Sequence, residues 1–131
     1  MRSERGQALV EFALVLPMIC AMLLAVLLVA EIGVARLALE HGAAEGARTG
    51  ALTNDDALVR GTIAASVGPL DAAKVRVSID PTQDHPPRTG DPRGSLLHVT
   101  LRYTIPMPLA FVGLSNVVIQ GDAARRIEWS P

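Results

Sequence analysis

The longest apolar stretch of the chain runs from Phe12 to Ala30 and contains 19 residues without a charge. A helix rises about 1.5 Å per residue, so this stretch nearly spans a hydrocarbon core about 30 Å thick. In lipid, only a helix satisfies its own backbone hydrogen bonds over such a length. We therefore predict a membrane-spanning helix over about residues 12–30, with a kink at Pro17, which removes one hydrogen bond from it.

The helical pattern continues beyond the apolar stretch and predicts one long helix over residues 7–52. Small residues recur on it at every fourth position: Ala38, Gly42, Gly46 and Gly50. Such a row lets another element approach closely, and it predicts a packing ridge against a sheet or a neighbouring helix. The alternative is that an Ala- and Gly-rich composition produces the spacing by itself, since each glycine weakens a helix by about 1 kcal/mol.

The remaining residues, 53–131, predict a small domain. A capping candidate after Thr53 and apolar residues at every fourth position indicate a short helix over about 55–67. The hydrophobic period then changes to two, which is typical of half-buried strands. The predicted extended segments are 75–79, 99–105 and 117–129, the last with a bulge at Gly121.

Prolines mark the connections in this domain. Pro106 and Pro108 are expected to close the second strand, and Pro81–Gly94, with four prolines, is expected to be a long exposed loop. Together the elements predict an α+β fold: a long N-terminal membrane-spanning helix, then a short helix and an antiparallel sheet of about three strands. A domain of this size is marginal by itself, so we expect the ridge or neighbouring subunits to complete its core.

Composition excludes several functions. A net charge of -1 supplies no field for a polyanion, and four aromatic residues are too few for a base-stacking surface, so we expect no nucleic-acid partner. The three histidines are not at metal-ligand spacing, the acids of the 81–94 loop do not match a calcium loop, and Cys20 is a small apolar residue of the helix. We predict a protein that is not an enzyme, with no catalytic residue, metal, cofactor or small-molecule substrate.

One acid, Glu11, lies directly before the apolar stretch. A carboxylate at the edge of the hydrocarbon indicates a functional site and needs a partner, for which Arg5 is one candidate. The simpler interpretation is an interfacial residue that is favoured by the dipole at a helix N-terminus.

The residues around Glu11 carry a resemblance. Gly6-Gln7-Ala8-Leu9-Val10-Glu11-Phe12 resembles a class III prepilin processing site, and the longer stretch Arg5–Pro17 resembles the opening of the TadE-like family, pilin-related minor subunits of tight-adherence (Tad) pili. The segment Ala43–Arg48 is similar to the Ala/Gly/Arg-rich end of that family's long helix. The resemblance implies a pilin-like fold, and it implies that a prepilin peptidase removes residues 1–6 by cutting between Gly6 and Gln7.

The family resemblance implies a minor pilin-like subunit, or pseudopilin, that supports assembly of a Tad (type IVc) adhesion pilus. Glu11 and Phe12 would belong to the processing and assembly motif, with Glu11 meeting the new amine of a neighbouring subunit. The implied partners are the membrane, the prepilin peptidase, other pilins or pseudopilins and the Tad assembly platform. Arg2 and Arg5 place the N-terminus in the cytoplasm by the positive-inside rule, so the C-terminal domain would lie outside the cytoplasmic (inner) membrane or in a pilus.

Two alternatives stay open at this stage. An unprocessed single-pass membrane protein could present a small envelope domain that binds another protein. A secretory signal peptide cut after Ala30 would release a soluble domain, although its apolar core is usually only about 7–15 residues long.

Overall fold

The computed structural model describes the backbone of residues 2–130 and the side chains of residues 6–111 and 113–130. Two helices and three strands follow one another in the order α1 (Arg2–Thr53), α2 (Asp56–Ser66), β1 (Arg76–Asp80), β2 (Leu96–Leu109) and β3 (Leu114–Arg126). The chain divides into two compact units, Met1–Gly33 and Val34–Pro131, which we call the N-terminal unit and the sheet unit. The predicted α+β fold is confirmed.

The described part of the N-terminal unit is helix throughout. α1 is long and apolar enough to cross a membrane by length and composition, and its most apolar window buries none of its residues within the protein. Leu14, Met18 and Leu27 are each about two-thirds exposed or more. Pro17 lies inside α1, which continues on both sides of it. Side chains of this kind need lipid or another protein as their surroundings.

The sheet unit combines the C-terminal part of α1 with α2 and the sheet. The strand order is β1-β2-β3, and both pairs of strands are antiparallel. β2 is central, and its alternate residues Leu97, Val99 and Leu101 are completely buried. This alternation is the period of two that the sequence predicts for a strand with one face on a core.

The short helix α2 is built as predicted. The Asp55 side chain caps it by accepting hydrogen bonds from the backbone amides of Ala57 and Leu58, at 2.8 and 3.2 Å. Val59 and Ile63 bury one face, and Val67, at its C-terminal cap, is buried as well. The cap and the four-residue spacing explain why the helix forms here.

The expectation that Pro106 and Pro108 close the second strand is wrong. β2 continues to Leu109, and Pro106 is still paired with Asn116 of β3. The register between the two strands shifts between Pro106 and Leu109. A proline donates no backbone hydrogen bond, and an irregular part of a ladder tolerates that loss.

The bulge predicted at Gly121 is also absent, because this residue pairs with Leu101 in regular register. Gly121 instead lies directly against α1. A Cβ atom at this position would lie 2.6 Å from the backbone nitrogen of Glu40 and 2.6 Å from the carbonyl carbon of Leu39. The glycine therefore allows β3 to approach the backbone of the helix.

The loop between β1 and β2 was expected to be exposed throughout, and this is wrong for Arg88 and Pro92, which are buried. The Arg88 guanidinium donates from Nε to Asn54 Oδ1 at 2.8 Å and from Nη1 to the Pro81 carbonyl at 2.9 Å. Nη1 also forms an ion pair with Asp56 Oδ1 at 2.5 Å. These partners fix the loop to the junction of α1 and α2, because a buried guanidinium needs acceptors for its N–H groups.

Candidate processing and assembly segment

The candidate site lies in the N-terminal unit, on consecutive turns of α1. Gly6, Gln7 and Glu11 are all exposed, and so is Phe12. Gln7 and Glu11 are four residues apart, so the helix puts them on one face. The Gln7 side-chain amide donates to Glu11 Oε1 at 3.4 Å. The helix thus places the Gln7 and Glu11 side chains within hydrogen-bonding distance of each other.

The surroundings of Glu11 are apolar. Leu9, Val10, Phe12 and Leu14 are each exposed by 61–72%. Among the described side chains, Glu11 forms no ion pair, and Arg5, the partner considered from the sequence, has a side chain outside the described set. A carboxylate in such a setting costs about 2.5–3.5 kcal/mol at the centre of a membrane helix and less near its end.

Gly6 has no packing role in the described chain. A Cβ atom there would meet nothing within 4 Å, and the same holds for Gly33. A glycine inside a helix costs about 1 kcal/mol relative to alanine. The contacts of the folded chain therefore give no reason for a glycine before Gln7.

The small residues of the sequence-derived ridge lie in the sheet unit, and three of them make close contacts. A Cβ on Gly42 would lie 2.9 Å from Val67 Cγ1, and one on Gly46 would lie 2.6 Å from Ile63 Cγ1. A Cβ on Gly50 would overlap the side chains of Leu97 and Val59. Ala38 is only half-buried and lines a shallow apolar groove with Val34, Leu37 and His41. The three glycines thus face α2 and β2 of their own chain.

The residues considered for metal binding or catalysis are dispersed. His41 lies on α1, His98 on β2, and His85 in the loop, where its Nδ1 is 2.7 Å from Thr82 Oγ1. Cys20 is exposed on α1. Within residues 2–130, no group of three or more His, Cys, Asp or Glu side chains could hold a metal ion.

Comparison with known proteins adds one observation to this geometry. Residues 6–48 match the family model of the TadE-like protein. Over these residues the chain is similar to the TadE-like family. The match begins at Gly6, includes Glu11 and Phe12, and ends at Arg48, so it covers all but Arg5 of the two stretches on which the sequence resemblance rests, and it confirms that resemblance. No curated protein and no solved structure matches the chain.

The TadE-like match covers 43 of the 131 residues. The match supports a minor pilin-like role associated with Tad pili. Together with the apolar helix, it supports a location at a membrane. The match ends before α2, so the sheet is known from the structure and not from the family.

Residues 109–115 were not singled out from the sequence as a surface. They form the tip of the β2–β3 hairpin, where a short 3-10 turn over Ala110–Val112 joins the strands. Phe111 on this turn is 83% exposed. The absence of charge from Tyr103 to Gly121 is the signal that could have drawn attention to it.

Proposed function

We propose that the chain is a pseudopilin that supports assembly of a Tad (type IVc) adhesion pilus, and that a prepilin peptidase cuts it between Gly6 and Gln7. The observation that carries the proposal is the TadE-like match that starts at Gly6. It is supported by Glu11, which lies one helical turn after the proposed new terminus.

Glycine at position 6 suits the proposed cut. The bond lies within α1, and a protease needs an extended substrate, so the first turns of the helix must open before cleavage. Glycine lowers helix stability by about 1 kcal/mol relative to alanine and lets the backbone enter a narrow cleft without a side-chain clash. Among the described residues, none contacts the Cβ position of Gly6, which supports this role over a role in folding.

Cleavage would change the electrostatics of the segment. The new amine of Gln7 would lie four residues, or about 6 Å of helix, from Glu11. In an assembled filament, Glu11 would pair with the amine of a neighbouring subunit, because a charge in an apolar environment is stabilised by an opposite charge. The pairing would set the axial position of one subunit against the next.

The proposed location is the cytoplasmic membrane, with Arg2 and Arg5 on the cytoplasmic side and the sheet unit on the other. The partners would be the prepilin peptidase, the Tad assembly platform and other pilins. The sheet unit adds bulk that a thin shaft accommodates poorly, so we propose a position at the tip or at initiation. Immunogold labelling along the entire shaft would contradict that position.

The cut is tested by intact-mass and N-terminal peptide mass spectrometry on protein from its native host, with and without the co-resident prepilin peptidase. We expect a chain that starts at Gln7 only when the peptidase is present. Gly6→Val should leave the leader intact, whereas Gly33→Val, at another contact-free helix position, should be processed normally.

Two other results would change the proposal. An intact leader under all conditions would favour the unprocessed anchor that presents a protein-binding domain. A correctly cut chain that has also lost ammonia would show that Gln7 cyclises to pyroglutamate, which removes the amine and excludes its pairing with Glu11.

A further inference from the structure

The tip of the β2–β3 hairpin exposes apolar side chains that the rest of the described chain does not cover. Phe111 is 83% exposed, more than any other large apolar side chain in the described residues, and Leu114 is 53% exposed. Val118, four residues further along β3 and paired with Thr104, is 64% exposed as well. Apolar side chains grouped at one place on a folded unit indicate a contact surface.

Charge is distributed very unevenly along this hairpin. The 19 residues from Tyr103 to Gly121 carry no charge, and Arg102 and Asp122 flank them. The opposite end of the hairpin, by contrast, carries Arg125 and Arg126. The tip of the hairpin can therefore leave water without desolvation of a charged side chain, whereas the end that carries Arg125 and Arg126 cannot.

Contacts within the sheet unit show at which end of that unit the tip lies. Gly50 faces Leu97, and Gly42 faces Leu101. From Leu97 to Leu101, β2 advances by four residues, or about 13 Å. Between the facing positions Gly50 and Gly42, α1 runs in the opposite direction by eight residues, or about 12 Å. Four further strand residues bring Ile105 to the level of Val34, where the sheet unit begins.

The tip follows Ile105 along β2, so it lies at the Val34 end of the sheet unit. Val34 is also the residue at which the chain enters this unit from the apolar part of α1. The uncharged, apolar end of the hairpin and the entry point of the chain are therefore at the same end of the unit.

We propose that the hairpin tip, Leu109–Leu114, contacts the surface of the membrane that α1 spans, with Phe111 in the interfacial layer. Phenylalanine and leucine are typical of surfaces that sit at the boundary between headgroups and acyl chains. The turn satisfies part of its own backbone there, since the Gly113 amide donates to the Ala110 carbonyl at 3.1 Å. The proposal rests on the membrane location of the chain and does not depend on cleavage after Gly6.

A lipid surface fits this tip better than a second copy of the chain does. Specific protein interfaces surround an apolar centre with a polar rim that carries hydrogen bonds. Along this hairpin the first charged residues, Arg102 and Asp122, come only at the ends of the uncharged stretch. The contact would hold the sheet unit at the membrane while the subunit awaits assembly, and it would break when the subunit leaves the bilayer.

The test uses full-length protein reconstituted in phosphatidylcholine vesicles, with or without bromine on the acyl chains near the headgroup. In a Trp129→Phe background, Phe111→Trp places a fluorophore at the tip, and Leu114→Trp provides a second probe. Leu58→Trp is the matched control: Leu58 is 52% exposed on α2, beside Val59, which faces Gly50 at the opposite end of the sheet unit.

We expect brominated lipid to remove most of the emission from both tip variants and little from the Leu58→Trp variant. Equal, weak quenching at all three positions would overturn the proposal. Tip emission that is blue-shifted, resists bromine and moves to the red when the protein is diluted in lipid would also overturn it, in favour of a contact with a second copy. Because the readout needs no peptidase, its failure is distinguishable from failure of the proposed processing.

Discussion

The two halves of α1 differ in what surrounds them, although they form one continuous helix. From Gly6 to Gly33, every described side chain is exposed except those of Leu28 and Ile32, which are half-buried. From Val34 onward, Ala35, Leu39, Ala43, Ala47 and Ala51 are buried almost completely. The second half finds its partner within the chain, and the first half must find it in lipid or in other subunits.

The glycines show the same difference. Gly6 and Gly33 have open space where a Cβ would be, whereas Gly42, Gly46 and Gly50 lie against side chains of α2 and β2. The same residue type thus permits close packing in one half of the helix and has no packing role in the other. A substitution series can test this difference directly by measuring the stability of the sheet unit.

The largest effect is expected from Gly121→Val, which would detach the sheet from the second half of α1. The new side chain would meet the backbone at Leu39 and Glu40, which cannot move aside as a side chain can. Overpacking of a core costs about 1–3 kcal/mol. Because the new side chain would meet rigid backbone, we expect Gly121→Val to lower the free energy of unfolding by about 3 kcal/mol or more. Chemical unfolding of full-length protein in detergent, followed by the fluorescence of Trp129, measures it.

Ala124→Val is the control for Gly121→Val. Ala124 lies on the same strand but is exposed, and a β-branched residue suits a strand. The free energy of unfolding of the Ala124→Val variant should stay within about 0.5 kcal/mol of that of the parent protein. A similar loss in both variants would show that close approach to the helix is not what Gly121 provides.

The second prediction concerns the connection that ends α1. Arg88→Met should lower the free energy of unfolding by about 2–3 kcal/mol, because it leaves Asn54, Asp56 and the Pro81 carbonyl without their donor. Arg93→Met, in the same loop with an exposed side chain, should change it little. Thermal unfolding monitored by near-UV circular dichroism compares the two, and equal midpoints would contradict the role assigned to Arg88.

The third prediction compares two glycines of the sheet unit. Gly46→Ala should destabilise by about 1 kcal/mol, since the strain of displacing Ile63 exceeds the gain in helix propensity. Gly61→Ala, on α2 with nothing within 4 Å, should stabilise by up to about 1 kcal/mol. Urea unfolding of both variants provides the measurement, and changes of the same sign would mean that the contact at Gly46 is looser than the structure indicates.

Local patterns predicted much of this fold, and contacts between distant segments were missed. The cap at Asp55, the spacing of Val59 and Ile63 and the alternation along β2 follow from neighbouring residues, so they are visible in the sequence. Gly121 was misread because its reason is the backbone of α1, which lies far earlier in the chain. Arg88 was missed because a charge in a proline-rich loop is usually solvated, and only the fold reveals its buried acceptors.

The candidate processing segment, unlike Gly121 and Arg88, does not depend on contacts between distant parts of the chain. Gly6, Gln7 and Glu11 form a motif that is contiguous in sequence, so the family resemblance could single them out as candidates, and the family match covers them. The hairpin tip was not recognised, because its significance depends on which end of the sheet unit it occupies. That position follows from the pairing of β2 with α1, which no local pattern contains.

The smallest effect is expected at Arg36, on the outer side of the second half of α1. Its Nε donates to Glu40 Oε1 at 2.9 Å, but the two side chains are 68% and 46% exposed. Exposed ion pairs four residues apart contribute only about 0.3–0.5 kcal/mol, so Arg36→Ala should lower stability by less than about 0.5 kcal/mol, and less at high salt. A loss above about 1 kcal/mol in the same urea titration would mean that this face is covered in solution, and the second half of α1 would then also depend on a partner outside its own chain.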